Sequence, residues 1–228
     1  MHRAKGRRLK RIGLFGGTFN PIHKGHLRAA TSVREGFGLD SVILIPAAIP
    51  PHKHSKVIAP AGDRLEMVRL VAAGLENTVV SDVELVRSGP SYTIDTVYHF
   101  QRKFDAGTEL FFIVGVDAFL EIDTWKNFDD LFVSIPMIVL DRPGEHGNGS
   151  SFQTIQKFLV DRISKDYLPN EDGSSFSHPL LQTVFLYDGE MIDVSSTRIR
   201  QRIGMGESVS DMLPRLVEDY IRRKGLYK

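Results

Sequence analysis

Residues 12–27 read IGLFGGTFNPIHKGHL, and the reading of the whole chain works outward from them. Ile12, Leu14 and Phe15 form a short apolar run that predicts the buried first strand of a sheet. Gly16, Gly17 and Thr18 follow, and paired glycines let backbone N–H groups approach a ligand with no side chain in the way. Asn20-Pro21 is a turn signal that ends the strand. His23 and His26 then stand three residues apart at the mouth of a helix predicted from Lys24, which puts both rings on one face. A helix mouth, free amides and two imidazoles make a place for phosphate.

Other readings of the same residues stay open at this point. A glycine pair after a strand, taken alone, is a tight turn. His-x-x-His is also a metal-pair spacing, with His52 and His54 downstream. Structural zinc sites draw on cysteines or a four-ligand set, and this chain has no cysteine and no His-Glu-x-x-His, so no metal ligands are assigned. Neither a Walker loop nor a Gly-x-Gly-x-x-Gly fingerprint occurs, so phosphate is handled by other means.

The 228 residues suit one large domain, or one with an embellishment. The absence of cysteine excludes a disulfide scaffold and gives no sign of export, which points to a cytoplasmic protein. No apolar run approaches the ~18 residues that a membrane span needs. The net charge of +1 hides an asymmetry, because residues 1–11 hold six basic side chains and no acidic one. The rest carries 23 basic against 28 acidic side chains, so the body is acidic. Such a head is expected to be a disordered, solvated tail rather than a nucleic-acid arm, and it lacks the apolar core of a signal peptide. The expectation is therefore a basic head over 1–11 and one domain over 12–228, with no nucleic-acid or membrane partner.

Apolar runs alternate with helical patterns along the body. Strands are predicted at 42–46, 79–83, 110–114, 135–140 and 184–186, and helices at 24–37, 61–73, about 94–104, 152–164 and 210–223. This alternation predicts an α/β fold, a Rossmann-like parallel sheet with helices on both faces. In such sheets ligands bind beyond the carboxyl ends of the strands, where the chemistry-bearing motifs fall here. Residues 145–182 are read as a surface excursion.

Two further stretches suit phosphate. Ile49-Pro50-Pro51-His52-Lys53 is stiffened by its prolines and can hold an ammonium in place, or it is simply a solvated turn. In Asp193-Val194-Ser195-Ser196-Thr197-Arg198-Ile199-Arg200, Ser195 and Ser196 can cap a helix whose positive end carries amides and hydroxyls, or serve only as a cap. Trp125 lies in a polar run after a strand end, which predicts partial exposure, although a lone tryptophan is commonly core. Thr93 stands at a predicted helix start whose amides favour an anion.

The stretch GGTFNPIHKGH resembles the signature of the nucleotidylyltransferase superfamily, with His23-Lys24-Gly25-His26 as its His-x-Gly-His element. The more particular resemblance is to bacterial nicotinate mononucleotide adenylyltransferases. Pro50-Pro51-His52-Lys53, Ser91-Tyr92-Thr93-Ile94-Asp95-Thr96, Gly115-Val116-Asp117 with Trp125, Arg142-Pro143-Gly144 and Ser195-Ser196-Thr197-Arg198-Ile199-Arg200 carry it. It runs from about Arg11 to Tyr227 and is weakest over 145–182.

The resemblance implies transfer of AMP from ATP to nicotinate mononucleotide. It implies catalytic roles for His23, His26, Lys53 and Arg200. It implies ATP contacts from Gly16, Gly17, Thr18, Phe19, His23, His26, Gly115, Asp117, Ser195, Ser196, Thr197 and Arg200. Nicotinate mononucleotide would meet Lys53, Ser91, Tyr92, Thr93, Asp95, Trp125 and Arg142. Mg²⁺ would be bound chiefly through ATP. A sister enzyme using another phosphorylated acceptor, such as phosphopantetheine, and a nucleotide-binding sensor without turnover remain as alternatives. Oligomeric state is open, a homo-oligomer included.

Overall fold

The computed structural model describes residues 9–48, 58–141 and 151–228. In chain order the elements are β1 (Lys10–Gly17), α1 (Lys24–Gly36), β2 (Ser41–Pro46), α2 (Ala61–Ala72), β3 (Thr78–Val80) and the short α3 (Val83–Val86). Then come α4 (Thr93–Lys103), β4 (Thr108–Gly115), α5 (Val116–Phe119), α6 (Phe128–Ser134), β5 (Met137–Leu140) and α7 (Ser151–Phe158). The chain closes with β6 (Leu168–Pro169), β7 (Ser175–Ser177), β8 (Val184–Tyr187), α8 (Ser196–Gly204) and α9 (Arg215–Lys224).

One sheet runs in the order β3-β2-β1-β4-β5-β8-β7-β6. The first six strands are parallel, and β7 and β6 are added antiparallel. From β1 the chain moves outward to β3 and then returns to β4 on the other side of β1. The gap beyond the carboxyl ends of β1 and β4 is therefore the switch point where ligands bind in this kind of sheet.

Both faces are covered, as the unbroken apolar strands require. On one face Phe15, Val42, Leu44, Phe111 and Ile113 pack against Ala29, Val33, Val68, Ile199 and Val217 of α1, α2, α8 and α9. On the other, Ile12, Leu14, Ile43, Phe112 and Val114 pack against Val83, Ile94, Val97, Phe119 and Leu131 from α3 to α6. Alternate residues of one strand thus serve opposite cores. Among the described residues no helix is long and apolar enough to cross a membrane.

Several expectations shift. Lys10 and Arg11 belong to β1, so the strand reaches two residues into the supposed head. The charge of Arg11 is met by Glu109 at 3.1 Å, and its guanidinium lies over the Phe111 ring at 4.7 Å. Residues 1–8 lie outside those described. The third strand ends at Val80, and Val83 starts a helical turn, because the Ser81 hydroxyl accepts from the Val83 amide. Pro136, which has no amide to give a ladder, delays β5 to Met137. Pro214 starts α9 at Arg215, leaving Met212 and Leu213 buried ahead of it and Leu216 exposed.

The largest correction concerns 145–182. Its described part, from Ser151, is not a surface excursion. Ile155, Leu159, Tyr167 and Phe176 are fully buried in the second core, and the segment supplies two strands to the sheet. Its helix passes from α7 into a π-helical stretch over Leu159–Ile163.

Candidate active site

A cavity of about 310 Å³ opens at the switch point. Gly16, Gly17 and Thr18 wall it at the end of β1, and Gly115 at the end of β4. Ser91, Tyr92 and Thr93 close it at the start of α4, and Trp125 and Lys126 lie across from them. The phosphate turn and the aromatic residues, far apart in sequence, thus line one cavity.

The histidine pair is built into the start of α1. His23 is the N-cap of that helix. Its Nδ1 accepts from the His26 amide at 3.4 Å, and the His26 Nδ1 accepts from the His23 amide at 3.3 Å. This is a capping box made from two imidazoles. The rings stack with centroids 3.7 Å apart. Because each Nδ1 is an acceptor, the hydrogen-bond network assigns the neutral proton of each ring to Nε2. Both rings therefore carry an Nε2–H donor on the side away from the helix backbone. His23 is buried and His26 half-buried.

Gly25 makes that stack possible. A Cβ at Gly25 would sit 3.0 Å from the His23 Nδ1 and 3.0 Å from the Ile192 carbonyl oxygen. The glycine of the His-x-Gly-His element thus leaves room beside the His23 ring, where a Cβ would crowd the ring and the Ile192 carbonyl by a few tenths of an ångström.

Phe19 departs from its expected role. It has a positive φ of 46°, and its ring is 2% exposed, edge-on to Phe15 at 5.9 Å and to His26 at 5.0 Å. The side chain is core packing beneath the histidines, because a large apolar ring gains more by burial than by facing water. Only its backbone amide remains for a ligand.

Ser195 caps α8, accepting from the Arg198 amide at 3.2 Å. The Ser196 hydroxyl donates to the Pro21 carbonyl at 2.9 Å, and Arg200 Nη1 donates to the Asn20 carbonyl at 2.9 Å. The start of α8 is therefore fastened to the Asn20-Pro21 turn, next to the start of α1. Arg200 Nη2 also donates to the Thr197 hydroxyl at 3.2 Å. Two helix N-termini, each positive by its aligned peptides, converge on one turn.

On the other side of the cavity, Trp125 is half-buried and edge-on to Phe112 at 6.3 Å, as partial exposure predicted. Tyr92 is the N-cap of α4, without a side-chain cap bond, and Lys126 Nζ lies 4.3 Å from its ring centroid. Arg87 Nη1 donates to the Ser91 hydroxyl at 2.7 Å. Asp95 sits on the first turn of α4 and does not line the cavity, and Asp117 is exposed on α5. Lys53 and Arg142 lie outside the described residues.

Glu84 was not expected, and Thr96 was named only as the last residue of a motif, with no role of its own. Glu84 lines the cavity, is 9% exposed, and accepts from the Thr96 hydroxyl at 2.8 Å. Burial pushes its carboxyl above the usual range, against the pull of Thr96, Arg87, Ser91 and the Ala48 amide. Reading 79–83 as one strand hid it, since the turn at Ser81 is what brings Glu84 inward. No group of three His, Asp or Glu side chains converges as a metal cage among the described residues.

The cytidylyltransferase-like family model matches residues 14–202. A probable nicotinate-nucleotide adenylyltransferase of Desulfatibacillum aliphaticivorans is 41% identical over 95% of this chain and 99% of its own. One of Clostridium tetani is 34% identical over 96% of this chain and 100% of its own. The fold is also that of the nicotinic acid mononucleotide adenylyltransferase of Plasmodium falciparum in complex with NaAD, with a TM-score of 0.71, 17% identity, and coverage of 96% and 97% of the two chains. The glycine turn and the aromatic residues line the cavity, while His23, His26 and the start of α8 gather about the Asn20-Pro21 turn and do not line it. By these matches the chain belongs to the nicotinate-nucleotide adenylyltransferases of the cytidylyltransferase-like family.

Proposed function

We infer that this chain transfers AMP from ATP to nicotinate mononucleotide, forming nicotinate adenine dinucleotide and pyrophosphate in NAD biosynthesis. The observation that carries the reading is the single cavity lined both by the glycine turn and by Tyr92, Thr93 and Trp125. A triphosphate on the turn and a pyridine mononucleotide against the aromatics would bring their phosphates together.

In this reading a phosphate oxygen of the mononucleotide attacks the α-phosphorus of ATP. One P–O bond forms, the bond to pyrophosphate breaks, and no side chain becomes covalently bound. Positioning can then supply ~7–11 kcal/mol of the barrier. The Nε2–H donors of His23 and His26 are assigned to phosphoryl oxygens as charge builds. Thr18, Ser195, Ser196, Thr197 and Arg200 are assigned to the triphosphate, with the backbone of Gly16, Gly17 and Phe19. Lys53 keeps its proposed role through its motif. Mg²⁺ would be carried on the triphosphate, where it would neutralise charge on the leaving pyrophosphate. We assign no protein ligand to it, and we place the enzyme in the cytoplasm.

Pyrophosphate release tests the reading. ATP with nicotinate mononucleotide should release it, and ATP with phosphopantetheine should not. Release with phosphopantetheine alone would move the chain to a sister reaction, and the absence of release with either acceptor would leave it a nucleotide-binding protein without turnover.

A further inference from the structure

Arg64, on the first turn of α2, is 1% exposed and spends its whole guanidinium on carbonyls. Its Nε donates to the Ala59 carbonyl at 3.0 Å, Nη1 to that of Thr18 at 2.8 Å, and Nη2 to that of Ala48 at 2.8 Å. Three segments meet there: the phosphate turn and the chain on either side of residues 49–57. Burial lowers the pKa of Arg64, with Tyr227 and Glu84 pulling the other way, yet an arginine stays charged in a protein. The planar fork is what reaches three separate oxygens, and a lysine ammonium is a single point of charge.

The bond to Thr18 matters for chemistry because of peptide geometry. The Thr18 carbonyl and the Phe19 amide share one trans plane and point in opposite directions. Drawing the carbonyl inward to the guanidinium turns the Phe19 N–H away from α2. Among the described residues neither the Thr18 amide nor the Phe19 amide has an acceptor. The Thr18–Phe19 peptide, at the end of the turn that lines the cavity, is therefore oriented from behind by a buried cation. That cation also adds positive potential beneath the turn, in an interior where charge is weakly screened.

We propose that Arg64 is a positioning residue of the adenylyl transfer, orienting the Thr18–Phe19 peptide for the phosphates of ATP while fixing Ala48 and Ala59 beside it. The proposal rests on the function inferred above, and its larger effect falls on the nucleoside triphosphate. The pyridine mononucleotide is assigned to Trp125, α4 and Lys53; Arg64 bonds to neither Trp125 nor α4, and it reaches the chain around Lys53 only through Ala48 and Ala59.

The experiment compares the native chain with Arg64→Lys and Arg64→Met, measuring KM for each substrate and kcat, with thermal unfolding in parallel. Arg64→Lys should fold, raise the KM for ATP about tenfold or more, and leave that for nicotinate mononucleotide within about twofold. Arg64→Met should show the same split, more strongly. A Lys variant with native KM for ATP overturns the proposal. So does an equal rise in both KM values, or failure of both variants to fold, since either makes Arg64 a general strut. If the native chain itself releases no pyrophosphate, the function inferred above fails, which is a separate result.

Discussion

The Tyr227 hydroxyl donates to the side-chain oxygen of Asn20 at 2.8 Å, across 207 positions of sequence. That oxygen also accepts from the Ala59 amide at 3.0 Å, and Asn20 is 5% exposed. Burial raises the Tyr227 pKa far above the ordinary phenol value, so the hydroxyl stays a donor at any physiological pH. The residue after α9 thus braces the turn that precedes the histidines. Tyr220 extends the contact, donating to Asp63 of α2 at 2.7 Å.

Tyr227→Phe should therefore cost about 0.5–1.5 kcal/mol, one buried hydrogen bond. In a chain of this size that is roughly 2–4 °C of thermal midpoint per kcal/mol. Because Asn20 keeps its bond to Ala59, the fold should persist. Calorimetry on the variant checks it, and an unchanged midpoint would remove the bracing role.

The two histidines should separate under mutation. His26→Ala keeps the backbone amide that His23 caps but loses the return bond from the His23 amide, so it should cost less stability than His23→Ala while turnover falls by ~10²-fold or more, as for loss of one charge-stabilising donor. His23→Ala removes the cap itself and should cost a further ~0.5–2 kcal/mol of stability. Turnover and urea midpoints of both variants decide the matter. Native turnover in His26→Ala would end the phosphate role.

What the sequence discloses here depends on how local the information is. The run from Ile12 to His26 holds strand, turn, cap and donors in one contiguous piece, so its meaning survives without coordinates. The parallel strands are legible for a similar reason, being buried on both faces and nearly all apolar. Ile155 falls on the predicted helix at 152–164, but Tyr167 and Phe176 follow no helical or strand period, and β6 and β7 have only two and three residues, so no pattern announces them. Arg64 and Glu84 fall between motifs and join the site only through folding.

Acid against amide is the next test. Thr93 begins α4 and its N-cap makes no side-chain bond, so the first amides of that helix suit the carboxylate of nicotinate. A helix start favours an anion by ~0.3–1 kcal/mol, and up to ~2 when partly buried. Trp125 can stack on the ring but offers nothing that tells acid from amide. Trp125→Phe should therefore weaken both mononucleotides while the ratio of their kcat/KM values stays near native. A native enzyme equally efficient with both would defeat the anion argument.

Glu84 gives a pH signature that its neighbours cannot mimic. Its carboxyl is buried in the cavity wall, and desolvation raises its pKa above the ordinary 4.5. The native state therefore holds a proton that the unfolded chain has already lost as pH climbs past that value. The unfolded state binds fewer protons in this window, so stability falls with rising pH until the native carboxyl has ionised. Glu84→Gln cannot ionise and should lack that fall. It also changes the bond from Thr96, which in the native chain favours the ionised carboxyl and opposes the fall, so the slopes are to be compared rather than the absolute stabilities. Urea midpoints at pH 5, 6, 7 and 8 should diverge in favour of the Gln variant as pH rises. Parallel curves would mean that Arg87, Ser91 and Thr96 compensate the buried charge in full, and that Glu84 is ionised in the folded protein throughout.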